Sequence, residues 1–203
     1  MAIDPLPTPA GSSPFRLKGS IYLGLVGSWR MIPGGGDAVK ARCGDASLTQ
    51  FAEQIFLASA WYDALPIVPL TQAMSAITGQ SFTALVREGA RQRVADDLNG
   101  VYRLLFRVAS PEMVAPRLVR GFGKYFDFGR AETVRLESGR LTVDQHGVPR
   151  YLARWYESAT ATFFDVTLRH AGARDTTFGW TSRADAPVAG HDTVSLRCDI
   201  GWS

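Results

Sequence analysis

Over the first 126 residues the apolar positions recur at helical spacing. Phe15–Ile32 carries Leu17, Ile21, Leu23, Leu25 and Trp29 and predicts a helix over Ser20–Met31, closed by the helix-incompatible run Pro33-Gly34-Gly35-Gly36. Asp37 is placed to cap a short helix through Arg42. Ser47-Leu48-Thr49-Gln50 has the capping-box pattern, and Leu48, Phe51, Ile55, Ala58 and Tyr62 then share one helical face. Ile67–Thr78 reads as a helix with Pro69 in its first turn and Gly79 at its stop. Ser81 caps another, with Phe82, Leu85, Ala90 and Val94 inward; it ends or bends near Asn99-Gly100, and Val101–Val108 continues as a further helical piece. Ser110-Pro111-Glu112 starts a helix that runs to about Phe122.

Beyond residue 126 the period changes from 3.6 to 2. Val134 and Leu136 alternate with Arg135 and Glu137, Ser138-Gly139 turns the chain, and Leu141 and Val143 alternate with Thr142 and Asp144. A long helix over Arg150–Ala171 is expected next, with Leu152, Trp155, Ala159, Phe163, Val166 and His170 on its apolar face. Two strands follow, one holding Thr176, Phe178 and Trp180, the other Val194, Leu196, Cys198, Ile200 and Trp202. The expected fold is α+β: a helical half over residues 15–126, then a ββ-α-ββ half over 127–203 whose antiparallel sheet has one covered face. Residues 1–14, with four prolines and no period, predict a flexible tail ahead of a single domain over 15–203.

Composition narrows the function classes. With 46% hydrophobic and 20% charged residues in 203, the chain has material for a sizeable core. Its net charge of +3 is spread along the chain without a nucleic-acid motif, so no nucleic-acid partner is expected. The basic side chains Arg87, Arg91, Arg93, Arg103, Arg107, Arg117, Arg120 and Lys124 read as a solvated helix face, with a docking surface as the sharper alternative. No apolar stretch reaches the roughly 20 residues of a membrane helix, and no leader pattern opens the chain, so a cytoplasmic location without membrane insertion is the expectation. Two cysteines, Cys43 and Cys198, exclude a disulfide scaffold and a four-cysteine zinc site and are expected as thiols. Of the three histidines, His146 precedes Gly147 and reads as an exposed turn residue, His170 as a group at a helix C-terminus, and His191 as the residue before the last strand. No nucleophile elbow, phosphate loop, zinc-protease motif or carboxylate pair is present, and the expectation is a protein that is not an enzyme.

Several short stretches, in order, resemble the heme nitric oxide/oxygen-binding family and its heme-free vinyl-reductase-like relatives. Leu17-Lys18-Gly19-Ser20-Ile21 is similar to the Met-Lys-Gly-x-Ile opening. Leu65–Gly79 with Ser81-Phe82-Thr83-Ala84-Leu85 resembles the stretch that follows, and Asp97-Leu98-Asn99 through Ala115-Pro116 resembles the helix and loop that carry the heme ligand. The layout also resembles an uncharacterised paralogous family expanded in myxobacteria. The resemblance implies the fold over residues 15–203 and a cavity between the two halves.

Two features of the family's heme site are missing. Tyr102 stands at the position of the proximal histidine, no histidine lies in residues 1–145, and Leu141-Thr142-Val143-Asp144-Gln145-His146 lacks the Tyr-x-Ser-x-Arg clamp. On that ground no cofactor is expected. The expected function is a non-catalytic small-molecule-binding or sensory module. A small apolar ligand would occupy a pocket between the halves, lined by Trp61, Tyr62, Tyr102, Phe106 and Trp155, with Tyr102 as polar anchor. The same aromatic residues suit a filled core, which would make the chain a protein–protein adaptor, with a protein partner or a homodimer. A heme or gas sensor with a non-histidine ligand is the third reading.

Overall fold

The computed structural model describes residues 3–99 and 110–203 of the chain, and side chains over 3–96 and 110–203. The chain divides into two units, Met1–Gly89 with Tyr125–Asp127, and Ala90–Lys124 with Phe128–Ser203.

In the first unit, β1 (Arg16–Lys18) pairs antiparallel with β2 (Trp61–Asp63), placing Leu17 opposite Tyr62. The 125–127 segment lies against the other side of β1: the Lys18 amide donates to the Tyr125 carbonyl at 2.9 Å and the Arg16 amide to Asp127 Oδ1 at 2.8 Å. Around this ribbon stand α1 (Gly19–Ser28), α2 (Gly35–Cys43), α3 (Ala46–Glu53), α4 (Ile67–Thr78) and the start of α5 (Phe82–Asn99). α4 has the expected bounds, ends at Gly79 in the left-handed region, and buries every residue from Ile67 to Ser75. Gly19 is required where it sits, because a Cβ there would come within 2.1 Å of the Leu57 carbonyl oxygen.

Three local expectations are corrected in this unit. α3 is capped by Asp45, whose Oδ1 accepts from the Leu48 amide at 3.0 Å, and it stops at Glu53 rather than running to Tyr62. Ile55 is therefore 85% exposed, and Tyr62 lies on a strand. Gly35 and Gly36, expected in a helix-incompatible run, begin α2, and Asp37 pairs with Lys40 instead of capping. The proline-rich stretch is fastened along its length. The Asp4 amide donates to Gln72 Oε1 at 2.9 Å, the Ala10 amide to Ser47 Oγ at 3.1 Å, and the Gly11 and Ser13 amides to buried Asp63 at 2.9 and 3.1 Å.

In the second unit, β3 (Arg130–Glu137), β4 (Arg140–Pro149), β5 (Thr176–Val188) and β6 (His191–Trp202) form one antiparallel sheet in the order β3-β4-β6-β5. The chain's last strand is thus a central one, and Val194, Leu196, Cys198, Ile200 and Trp202 are all buried. α6 (Pro111–Arg120) and α7 (Ala153–His170) cover that face, with Val114, Ala115, Leu118 and Val119 meeting Leu141, Val143, Phe164, Leu168 and Ile200. The buried stripe of α7 is Trp155, Tyr156, Thr160, Thr162, Phe164, Thr167 and Leu168, rotated from the expected Ala159–Phe163–Val166 line. Threonines tolerate this burial because Thr162 and Thr167 donate back to the carbonyls of Ser158 and Phe163 at 2.8 and 2.7 Å.

Candidate functional site

The aromatic residues of the first unit form a closed cluster. Tyr22, fully buried, stacks on Phe56 at 4.8 Å and meets Phe51 edge-on at 5.3 Å, while Tyr62 meets Phe56 edge-on at 4.8 Å. The Tyr22 hydroxyl donates to the Asp63 carbonyl, and burial, with the Asp63 charge nearby, keeps its phenol well above its usual pKa. The Tyr62 hydroxyl accepts from the Leu57 amide at 2.8 Å and donates to the Ile55 carbonyl at 3.3 Å. Trp61, on the opposite side of β2, is 37% exposed and carries the Lys18 ammonium 4.0 Å above its ring.

The second unit has its own aromatic group: Phe122 lies 5.5 Å from Tyr156 and 6.4 Å from Phe128. Trp155 is buried beside Tyr156 in the first turn of α7. On the covered face of β4 the side chain of Gln145 is 1% exposed, and among the described residues its Oε1 reaches no hydrogen-bond partner.

The opposite face of the sheet is polar and networked. In register, Glu132 of β3 stands across from Asp144 of β4, and Asp144 across from Arg197 of β6. Arg197 grips Asp144 with two bonds of 2.7 Å and holds that carboxyl below its usual pKa. A bulge between Gln145 and Val148, with Gly147 at φ 68°, keeps His146 on this face. His146 is therefore a strand residue with partners, not an exposed turn residue: Nδ1 lies 3.0 Å from Ser195 Oγ and Nε2 3.1 Å from Glu132 Oε1. Ser195 donates its hydroxyl proton to Asp185 Oδ2 at 2.6 Å, so it is not activated by the imidazole as a nucleophile would be. A cleft of about 130 Å³ bordered by Asp144, Thr181, Arg183, Ser195 and Arg197 opens beside this network, well below the roughly 300–1,000 Å³ of a small-molecule pocket.

Of the residues expected to line a pocket, Trp61 and Tyr62 are in the first unit, Trp155 is in the second, and Tyr102 and Phe106 lie outside the described residues. Tyr62 belongs to the closed aromatic cluster. Sequence reasoning missed Asp63, Gln145 and the network of Glu132, Asp185 and Ser195. Gly11 and Ser13, the partners of Asp63, lie about fifty positions away from it along the chain, and strand register brings Glu132, Asp185 and Ser195 together around His146.

No family model matches the chain, and no curated protein does. Solved structures do. An Fe(II) unliganded H-NOX protein from K. algicida superposes with a TM-score of 0.60 at 15% identity, covering 92% of this chain and 97% of its own. A structure from a study of heme distortion in the H-NOX family gives 0.57 at 12% identity, with coverage of 92% and 95%. An oxygen-binding H-NOX domain related to soluble guanylate cyclases gives 0.53 at 12% identity, again with 92% and 95%. The fold is therefore of the heme nitric oxide/oxygen-binding type, as the short motifs imply. The expectation of no cofactor is corrected by the same finding, since the structures that share this fold over nearly the whole chain include heme proteins.

The donors in this chain can be sorted against that cofactor. His146 engages Ser195 and Glu132 on the polar sheet face, His170 ends α7, and His191 begins β6. Tyr22 and Tyr156 are fully buried with phenols pushed well above their usual pKa, and Tyr62 is bonded at 55–57. Tyr102, which the resemblance places in sequence at the family's heme-ligand position, lies outside the described residues.

Proposed function

We propose that the chain is a heme-dependent sensory module for a small gaseous ligand, with Tyr102 as the protein ligand to the iron. The observation that carries this reading is the agreement of fold with H-NOX structures across 92% of the chain. Heme supplies an iron centre with an open position at which a diatomic ligand binds. Tyr102 contributes an anionic oxygen donor where the family has a neutral imidazole. Such a donor would favour the ferric state of a bound heme, so Tyr102 would set the resting oxidation state of the module. Trp155 supplies buried apolar surface in the second unit. No helix among the described residues is long and apolar enough to cross a membrane.

The test is expression with ample heme, followed by absorption spectroscopy of the wild type, Tyr102→Phe and Tyr102→His. The wild type is expected to retain heme with a ferric spectrum, Tyr102→Phe to lose it, and Tyr102→His to regain it with a ferrous form accessible to mild reductant. A wild type that folds and carries no heme would overturn the proposal and favour the adaptor reading. Equal heme retention by Tyr102→Phe would exclude Tyr102 as the ligand.

A further inference from the structure

β3 is one edge of the four-stranded sheet, and no strand among the described residues pairs with its outer side. Every residue of it except Ala131 is exposed, with Val134 at 51% and Leu136 at 45%. An edge of this length with bare apolar side chains is a template for another strand. The other edge, β5, is blunted towards its end by Pro187 and by the irregularity between Asp185 and Val188.

The side chains of β3 determine which strand fits it. Its register against β4 sets their faces. Arg130 stands across from His146, Glu132 from Asp144, Arg135 from Thr142 and Glu137 from Arg140, so these charged residues share the polar face. Ala131 stands across from Gln145 and Leu136 from Leu141, on the covered face. The polar side of the edge therefore reads Arg, Glu, Arg, Glu. In a regular strand Glu132 and Arg135 would point to opposite faces. The extra residue Val134, at the irregularity between Thr133 and Arg135, brings them to the same one.

We propose that β3 pairs antiparallel with β3 of a second copy of this chain, about a two-fold axis between Thr133 and Val134. Arg130 of each copy then faces Glu137 of the other, and Glu132 faces Arg135, so the axis doubles each opposite-charge pair. Ala131 faces Leu136 on the covered side and Thr133 faces Val134 at the axis, which gives both bare apolar side chains cover. A two-fold axis normal to the sheet keeps each residue on its own face, so only same-face residues can oppose one another. The bulge is what lets this register meet that condition. Neighbouring registers fail. A slide of one position opposes residues of different faces. A slide of two sets Arg130 against Arg135 in one direction and Glu132 against Glu137 in the other, and like charges directly opposite destabilise a strand pair. Arg135 bonds Glu137 of its own strand at 2.8 Å, and Glu132 lies 3.1 Å from His146 Nε2. Both side chains are more than half exposed, so each keeps an outer side for a second partner. The product is one continuous sheet across both copies, joined by main-chain hydrogen bonds and selected by charge.

Sedimentation velocity of the full-length protein, with and without added heme, tests this independently of the sensory reading. The 22.1 kDa chain should shift towards a species of twice that mass as concentration rises. Arg130→Glu alone and Glu137→Arg alone each oppose like charges on both sides of the axis, and each should weaken the dimer about tenfold. An equimolar mixture of these two variants restores opposite charges at every pair and should associate as the wild type does. Val134→Lys changes an exposed residue at the axis; it should weaken the dimer and leave the monomer folded by circular dichroism, and it carries the test if a charge reversal disturbs folding. Hydrogen exchange in β3 should slow with rising concentration. A chain that stays monomeric at every concentration would overturn the proposal. So would a dimer indifferent to these variants, a mixture no tighter than either variant alone, or protection that falls on β5 instead.

Discussion

Asp63 gives a sharp stability prediction. It is 3% exposed at the end of β2, and its carboxylate gathers the proline-rich segment onto the first unit. Oδ2 accepts the Gly11 amide at 2.9 Å and the Ser13 amide at 3.1 Å; Oδ1 accepts the Leu65 amide at 3.0 Å and the Ser13 hydroxyl. Asp63→Asn keeps the shape and one acceptor, but turns the other position into an NH₂ facing two amide donors. Each hydrogen bond to a charged group contributes about 1.5–3 kcal/mol, so losing the two at Oδ2 costs about 3–6 kcal/mol. That is a large part of the roughly 5–15 kcal/mol that holds a domain folded. With a urea slope of about 2 kcal/mol per M, the midpoint should fall by about 1.5–3 M. Ser13→Ala, which removes only the hydroxyl bond to Oδ1, should cost about half as much or less. Hydrogen exchange at the Gly11 and Ser13 amides should accelerate in Asp63→Asn more than at amides of the second unit. A variant within about 0.5 kcal/mol of wild type, an ordinary surface-substitution effect, would refute the argument that this carboxylate anchors the segment.

Three more outcomes are expected. Asp185, held at about 2 in the folded protein against a usual 3.8, contributes stability that is complete above 3.8 and lost as pH falls toward 2. The stability gap between wild type and Asp185→Asn should therefore narrow across that interval, and a constant gap would contradict it. Deleting residues 193–203 removes five buried side chains of a central strand, at about 1.5–3 kcal/mol each, and should leave no soluble cooperative fold; a near-wild-type melt would contradict this. Burial pushes the Cys43 thiol up to about 11 and that of Cys198 higher still. A thiol reagent at neutral pH should find neither quickly in native protein and both after denaturation, and rapid native labelling would contradict the burial.

Elements whose signals are local were legible in the sequence. α4 is bracketed by Pro66 and Gly79, which give its bounds, and β6 shows five alternating apolar residues, which give its buried face. Elements made by distant partners were not. β2 is only three residues long and exists because β1, more than forty positions earlier, pairs with it; the apolar spacing through Ile55 and Tyr62 imitates a helix there. The proline-rich segment has no period of its own, and its order comes from Asp63 and Gln72. His146 looked like a turn residue because Gly147 follows it, whereas that glycine makes a bulge within a strand. The cofactor was misjudged for a related reason: a missing histidine is visible in the sequence, while the fold is set by an apolar pattern that persists without it.

The central claim is that a tyrosinate, Tyr102, holds heme iron in an H-NOX-type fold. Resonance Raman spectroscopy of the ferric, heme-loaded protein, excited into the tyrosinate-to-iron charge-transfer band, tests it directly. Tyrosinate ring modes should be enhanced in the wild type and absent from Tyr102→His. A heme-loaded wild type without those modes, or with the spectrum of an imidazole ligand, would contradict it.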